Sequence, residues 1–337
     1  MQIISHYPLK MLNTFQVEAR ADQYVRFDMP DQIVDFFKRP GMDQKRRLVL
    51  GQGSNLLFVK DFHGLVLHPV LEGMEVIEEH REHVLVRAGA GQVWDDLVAW
   101  SVANGWGGLE NLSLIPGFVG ASAVQNIGAY GVEVKDTIAR IEAVSIADGR
   151  PVQLNPRDCG FAYRYSHFKG AWKDRFIITA VIYRLRKKPN YVTQYAQVAE
   201  TVRRMGTLNL ATLRKAIVHI REQKLPDPTE LPNAGSFFKN PVLENQKFAA
   251  LKKAFPRLPH YDYSPEAVKV SAAWLIEQCG WKGRCHGNAA VYDKHALVLI
   301  NRGGASGREI FELSERIRNA VSEKFGVPLE REVQVVG

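Results

Sequence analysis

The segment Asn233-Ala-Gly-Ser-Phe-Phe-Lys-Asn-Pro241 sets one serine hydroxyl between a glycine and two aromatics, with a lysine and an asparagine just behind it. A hydroxyl in dry surroundings with charged neighbours can hand over a proton. Ser236 lacks the G-x-S-x-G surround of a nucleophile elbow, which argues against covalent attack in a hydrolase triad. A turn that buries Phe237 and Phe238 is the plainer account of the segment taken alone. Tyr163-Arg164-Tyr165 and Glu330-x-Glu332 are further charged sites in apolar surroundings. Stacking of Arg164 on its tyrosines, and glutamates facing water, explain these singly. Cys279-x5-Cys285-His286 has neither the spacing nor the fourth ligand of a zinc centre, so no metal is expected.

Glycine carries the other signal. Gly51-Gln-Gly53-Ser-Asn55 follows the apolar strand Arg47–Leu50, and Gly89-Ala-Gly91 follows His83–Arg87. A third, longer glycine-rich stretch runs from Gly105 to Gly131 and contains Pro116-Gly117-Phe-Val-Gly120 and Gln125-Asn-Ile-Gly-Ala-Tyr-Gly131. Turns of this kind let peptide N–H groups reach a phosphate without a Cβ in the way. Each alone reads as a structural turn. The first lacks the third glycine of the dinucleotide fingerprint and is not followed by a helix of proper length, so a Rossmann domain is disfavoured. Three such segments within about eighty residues suit a large dinucleotide such as FAD, whose pyrophosphate needs several convergent donors.

The elements that must position these groups follow from periodicity. Trp94, Leu97, Val98 and Val102 recur at helical spacing, with Asp95 and Asp96 in the first turn and Asn104-Gly105 as a stop. Ile138–Ile146 and Arg175–Arg186 read as strands joined by a turn at Asp148-Gly149, and Leu210–Gln223 reads as a helix halted by Pro226-Asp-Pro228. The main domain boundary is expected between Lys187–Asn190 and that Pro-Asp-Pro. A helix over Glu266–Cys279, a hairpin over Ala289–Ile300 and a helix Gly307–Phe325 capped by Ser306 then build a smaller α+β unit. In the closing strand the alternation puts Glu330 and Glu332 on one face, and the pattern does not say which of them serves the site.

The chain of 337 residues is 46% apolar, which makes it an ordinary globular sequence of two or three folding units. Its net charge of +8 favours phosphate-bearing ligands without choosing among them. The basic residues are spread out rather than gathered in a stripe, which argues against nucleic acid. No apolar run approaches the ~20 residues of a membrane span, and the first residues lack the build of a secretory signal. Three cysteines with no C-x-x-C pair suggest reduced thiols. A cytoplasmic protein is expected.

Taken together, Asn13-Thr-Phe15, Gly51–Asn55, Ile115-Pro-Gly117, Gln125–Gly131, Tyr163-Arg164, Leu225-Pro-Asp-Pro228, Asn233–Pro241, Ala273-Trp-Leu-Ile276 and Leu329-Glu-x-Glu-Val333 resemble, in order along nearly the whole chain, the UDP-N-acetylenolpyruvoylglucosamine reductase (MurB) family of peptidoglycan synthesis. The resemblance implies an α+β protein. Its parts would be a non-Rossmann FAD-binding domain of vanillyl-alcohol-oxidase type in two subdomains, residues 1–66 and 67–205, a smaller α+β substrate-binding domain, residues 206–325, and a terminal strand, 326–337, returning to the active site. It implies noncovalent FAD, NADPH as hydride donor, and a UDP-sugar whose enolpyruvyl double bond is reduced to give UDP-N-acetylmuramate. A monomer without nucleic-acid or membrane partners is expected.

By motif, the resemblance assigns Arg164, Ser236 and Glu332 to catalysis. It assigns Gly51, Gly53, Ser54, Asn55, Pro116, Gly117, Gly120, Asn126, Gly128, Ala129, Tyr130 and Gly131 to the cofactor. Tyr195 resembles the loop tyrosine of the family's first class, and Arg221, Lys224, Asn240 and Lys282 resemble substrate-contacting positions. His295 stands where a glutamine is expected. A flavin oxidase on the same scaffold, or a noncatalytic nucleotide-sugar or nucleic-acid binder, would be told apart by the colour of the protein and by its response to NADPH and the UDP-sugar.

Overall fold

The β-branched and aromatic run Phe176–Arg186 forms a strand buried along most of its length, as a strand covered on both faces must be. In this computed structural model, which describes all 337 residues, that strand is the centre of a five-stranded antiparallel sheet. Its order is Pro151–Leu154, Ile138–Ser145, Phe176–Arg186, His83–Gly89, Met74–Glu79. An all-antiparallel sheet excludes the doubly wound nucleotide fold, as the missing third glycine suggested. The Asp148-Gly149 turn joins Ile138–Ser145 to Pro151–Leu154 rather than directly to Phe176–Arg186. That short strand was not legible because Pro151-Val-Gln-Leu154 is half-exposed and weakly patterned.

Contacts divide the chain into two units: residues 1–7, 21–52 and 63–223, and residues 8–20, 53–62 and 224–337. In the first unit, a four-stranded sheet (Ile3–Pro8, Arg20–Phe27, Phe62–Pro69, Arg47–Val49) packs on the helix α1, Pro30–Phe37. Phe27, Ile33, Phe36, Leu65 and Leu67 form that core. The five-stranded sheet packs on α2, Trp94–Ala103, and α3, Val119–Gln125, through Trp94, Leu97, Val98, Val119 and Tyr183. Each such side chain contributes roughly 1.5–3 kcal/mol by leaving water. Asn104 and Gly105, at φ 76°, end α2 as the sequence predicts.

Two further helices, α4 (Ala196–Met205) and α5 (Leu210–Lys224), belong with this unit up to Gln223. Their apolar faces close on each other and on Tyr130 and Tyr191. Arg214 makes a bidentate pair with Asp95, both bonds 2.8 Å, at a half-buried place. This partition differs from the sequence-based one, which begins the substrate domain at 206. Local sequence marks the turn before α5 but not the α2 partner that holds it.

The second unit has a four-stranded sheet in the order Asn233–Ser236, Val298–Asn301, Ala289–Val291, Cys285–His286. It also has a three-stranded sheet, Val242–Glu244, Ala267–Val270, His260–Ser264, and the helices α6 (Asn245–Ala254), α7 (Ala272–Gln278) and α8 (Gly307–Phe325). The helix expected over Glu266–Cys279 is half strand: Ala267–Val270 pairs on both sides, and α7 starts only after Ser271 accepts the N–H of Trp274. Val268 and Val270 alternate as a strand does, and the serine cap is the true helix start. Ser306 and Glu309 form a reciprocal capping box on α8. Leu56–Phe58 pairs in parallel with Gln334–Val336, which returns the end of the chain to the Gly53–Asn55 loop within this unit. No helix is long and apolar enough to cross a membrane.

Candidate active site

In the first unit the loop Ile115–Gly120 is stitched to the strand-to-helix turn before α2. Trp94 N donates to Gly117 O at 3.0 Å, Val119 N to Gln92 O at 2.9 Å, and Gly120 N to Ala90 O at 2.9 Å. The Trp94 indole holds Leu112 O at 2.8 Å, and Asp95 accepts the N–H of Leu114 at 2.6 Å. Gly120 therefore serves by close packing, its N–H already used: a Cβ there would stand 3.0 Å from that of Ala90. Gly51 lies beside this loop, its missing Cβ falling 3.8 Å from Ala121 Cβ and the Phe118 ring. Below it, buried His68 stacks on Phe118 and bonds the Tyr24 hydroxyl at 2.8 Å. Desolvation pushes its pKa down to about 4, so the ring is neutral.

The peptide N–H groups of Gly51, Gln52, Gly117 and Phe118 donate to no acceptor in the protein. Gly117 is buried as well, at φ 133°. A buried N–H without an acceptor costs free energy comparable to a lost hydrogen bond, which an anionic ligand would restore. This paired glycine cradle fits the diphosphate of FAD, and four neutral dipoles suit it without a strong pairing charge.

The second cluster in this unit is built on backbone in unusual conformations. Gly128–Ala129 and Val132–Glu133 form a hairpin whose two-residue turn, Tyr130-Gly131, has φ 48° and 85°. Both positive values mark the primed turn that hairpins favour, with tyrosine at the first position. Arg164 sits at φ 54° in the tight turn closed by reciprocal bonds of 3.1 Å between Ala162 and Tyr165. An arginine there is strained, and such strain gathers at functional sites. Its guanidinium donates to Gly128 O at 2.5 Å. Asn126, itself at φ 46°, donates to Ala162 O at 2.9 Å, and Lys169 donates to Arg164 O at 3.1 Å.

Arg221 of α5 shares a hydrogen bond with the Tyr130 hydroxyl. Burial lowers its pKa, Tyr130 and Asp95 oppose that, and Arg164 adds to the lowering. Its Nε is buried without a partner. Two guanidinium groups that repel, one with an orphaned donor, make a ready anion site. Tyr195, 39% exposed, caps α4 with its carbonyl, and its ring meets that of Tyr130 edge-on at 6.0 Å. Thus Asn126, Gly128, Ala129, Tyr130, Gly131, Arg164, Tyr195 and Arg221 come together. Lys169 and Asn111, whose amide bonds Tyr130 O at 3.0 Å, join them without a sequence signal beyond a polar residue in an apolar run.

In the second unit Gly53 is fixed by its surroundings: a Cβ would stand 2.0 Å from Leu12 O, and φ is 70°. Gly53 O receives Thr14 N at 3.2 Å, and Thr14 O receives Asn233 N at 3.0 Å, so the Asn13-Thr-Phe15 segment links the glycine loop to the serine segment. Ser236 ends the strand Asn233–Ser236, opposite Val298, and its hydroxyl makes no hydrogen bond within the protein. The next residues pair with the terminal segment: Glu332 N donates to Phe237 O at 2.8 Å, Lys239 N to Glu330 O at 2.9 Å, and Phe238 bridges Arg331.

The structure separates the two glutamates that alternation left equivalent. Glu330 is exposed and paired with Lys239, while Glu332 is half-buried beside Phe237. Arg331 reaches instead to α8, bonding Ser314 at 3.0 Å and lying 4.5 Å over the Phe311 ring. Ser54 lies in the same loop as Gly53 and Asn55. Pro116 lies in the glycine cradle of the first unit. Asn240 accepts the N–H of Ala272 at 3.0 Å. Lys224 ends α5, and Lys282 pairs with Glu277 at 2.9 Å; no bond brings Lys282 to Ser236 or Glu332. His295 accepts Leu297 N at 3.3 Å in its hairpin.

Residues 227–336 match the C-terminal domain of UDP-N-acetylenolpyruvoylglucosamine reductase, and residues 21–155 match an FAD binding domain. The chain is similar to the UDP-N-acetylenolpyruvoylglucosamine reductase of Bacteroides fragilis, 44% identical over 98% of this chain and 99% of the relative. It is likewise similar to that of Flavobacterium johnsoniae, 43% identical over the whole of both. The crystal structure of the enzyme from Thermus caldophilus shares the fold, with a TM-score of 0.70 at 23% identity over 100% of this chain and 98% of that one. A glycine cradle with free N–H donors, a strained arginine and an unengaged serine, on a chain this similar from end to end, establish that it belongs to the UDP-N-acetylenolpyruvoylglucosamine reductase family.

Proposed function

We propose that this chain is the FAD-dependent reductase that converts the enolpyruvyl group of UDP-N-acetylglucosamine-enolpyruvate into the lactyl ether of UDP-N-acetylmuramate, with NADPH as electron source. The observation that carries the reading is the pairing of Phe237–Lys239 with Glu330–Glu332, which sets an unengaged hydroxyl and a half-buried carboxylate on neighbouring segments. When bound, FAD supplies two-electron chemistry, taking a hydride from NADPH and delivering it to the enol-ether double bond. Gly51, Gln52, Gly117 and Phe118 would hold its diphosphate, with Gly53, Ser54 and Asn55 continuing the loop.

Reduction of the double bond also needs a proton at the carbon that becomes electron-rich. Ser236 donates it, and a positioned neutral donor of this kind is worth about 10²–10⁴-fold. Glu332 orients the donor or restores its proton. Arg164 holds the carboxylate on the developing carbanion, drawing charge toward itself. Its strained turn keeps the guanidinium in place before substrate arrives, so little reorganisation is required. Arg221 and Lys224 bind the anionic nucleotide, and Tyr195 covers it. Asn240 and Lys282 lie further along the substrate domain, and the pairing of Lys282 with Glu277 makes it the weaker contributor.

The test is spectral. Purified protein reconstituted with FAD should be yellow, bleach under anaerobic NADPH, and recolour on addition of the enolpyruvyl UDP-sugar but not of UDP-N-acetylglucosamine. Protein that takes up no FAD, or that recolours only with oxygen, would end this reading. A monomer that works without a macromolecular partner is part of the proposal, and its mass in solution tests it.

A further inference from the structure

Asn111 is 1% exposed, and its side-chain NH2 donates to two carbonyls far apart in sequence: Tyr130 O at 3.0 Å and Val192 O at 2.9 Å. The first belongs to the primed turn of the glycine hairpin. The second lies three residues before Tyr195 in the loop that leads into α4. Nothing else about the side chain is used, because Oδ1 is buried without a partner. An amide is chosen here for its two donors alone.

The turn that carries Asn111 is closed by its own hydrogen bonds. Leu112 N donates to Leu109 O at 2.8 Å, Ser113 Oγ to Glu110 O at 2.6 Å, and the Trp94 indole to Leu112 O at 2.8 Å. Buried Glu110 folds back to accept Gly108 N at 2.6 Å. The amide holds the loop that ends at Tyr195. Val192 and Tyr195 rest over Gly131, whose absent Cβ would stand 3.2 Å from Val192 Cγ1 and 3.6 Å from the Tyr195 ring. Gly131 leaves the room, and Asn111 supplies the tie.

We propose that Asn111 is a positioning residue that clips the Tyr195 loop to the Tyr130 turn, and that this clip sets how tightly the UDP-sugar is held. The second half rests on the reductase reading above; the first does not. The experiment uses the full-length, FAD-loaded protein with Asn111→Leu, which keeps the size and removes both donors, and Asn111→Asp, which turns a carboxylate toward both carbonyls. Backbone hydrogen exchange at Val198 and Ala199, whose N–H groups are held by Tyr195 O, should quicken at least tenfold in both, more in the aspartate variant. FAD content and the rate of flavin reduction by NADPH should match the wild type. KM for the UDP-sugar should rise about tenfold, equivalent to about 1.4 kcal/mol, with kcat altered less than about threefold.

Unchanged exchange at Val198 and Ala199 overturns the clip. Faster exchange at these two residues with an unchanged KM overturns its role in binding. Loss of FAD, or failure of both variants to fold, also overturns the proposal, since the amide would then hold the cofactor or the core instead of the loop. Exchange needs no substrate, so a wild-type protein inert toward the UDP-sugar would count against the reductase reading alone.

Discussion

The side-chain amide of Asn55 donates to the main-chain carbonyl of Glu332 at 3.1 Å, and the carbonyl of Asn55 accepts Gln334 N at 3.0 Å. A glycine-turn residue near the start of the chain thereby fixes the backbone that carries the terminal glutamate. Because Glu332 N is held by Phe237 O, one continuous set of main-chain bonds runs from the glycine loop through Glu332 to the segment of Ser236. Misplacement of any one of the three would be felt by the others.

Ser236→Ala should leave flavin reduction by NADPH near the wild-type rate and slow reoxidation by the UDP-sugar by 10²-fold or more. Stopped-flow absorbance separates the two half-reactions. Equal damage to both would make Ser236 a structural residue. Glu332→Gln should show the same asymmetry, and full turnover would place the carboxylate outside the chemistry.

Gly53→Ala asks a Cβ to sit 2.0 Å from Leu12 O at φ 70°. The main chain on both sides must move, at a cost on the order of 3 kcal/mol. Thermal unfolding should occur at a distinctly lower temperature and FAD should be lost on gel filtration. Retention of both at wild-type level would show that the loop is looser than its packing implies.

Arg164→Gly separates stability from activity. Glycine relieves the positive φ, worth about 1 kcal/mol, while the bond to Gly128 O disappears at a similar cost. Stability measured by urea unfolding should therefore change by less than about 1 kcal/mol, yet turnover should fall at least 10²-fold. Loss of more than about 3 kcal/mol would mean that the arginine is there to hold the fold.

His68 gives the protein a pH dependence of definite sign. Its folded pKa of about 4 lies below the ordinary 6.5 because the ring is desolvated beside Phe118. The unfolded chain takes up the proton first. Stability is full above about pH 6.5 and falls as pH drops toward 4, by on the order of 3 kcal/mol at the limit. His68→Gln cannot titrate, so the gap in unfolding temperature between pH 7 and pH 5 should shrink. An undiminished gap would assign the acid sensitivity to other groups.

Much of this protein was legible in one dimension. The glycine turns, the serine between glycine and two phenylalanines, the Ser306 cap and the helix Gly307–Phe325 are local chemistry, decided by residues a few positions apart. Backbone conformation and capping depend only on near neighbours. The same locality explains the failures. Ala267–Val270 became a strand because partners on both sides completed its ladder. Glu330 and Glu332 differ in exposure because Lys239 lies opposite the first and Phe237 opposite the second. The positive φ of Arg164, the orphaned Nε of Arg221 and the two-carbonyl grip of Asn111 have no local signature. Residue types and spacings determined which chemistry was available; only long-range hydrogen bonding and burial, which depend on segments up to 286 residues apart such as Phe15 and Asn301, decided which groups would be strained, desolvated or left with a donor to offer.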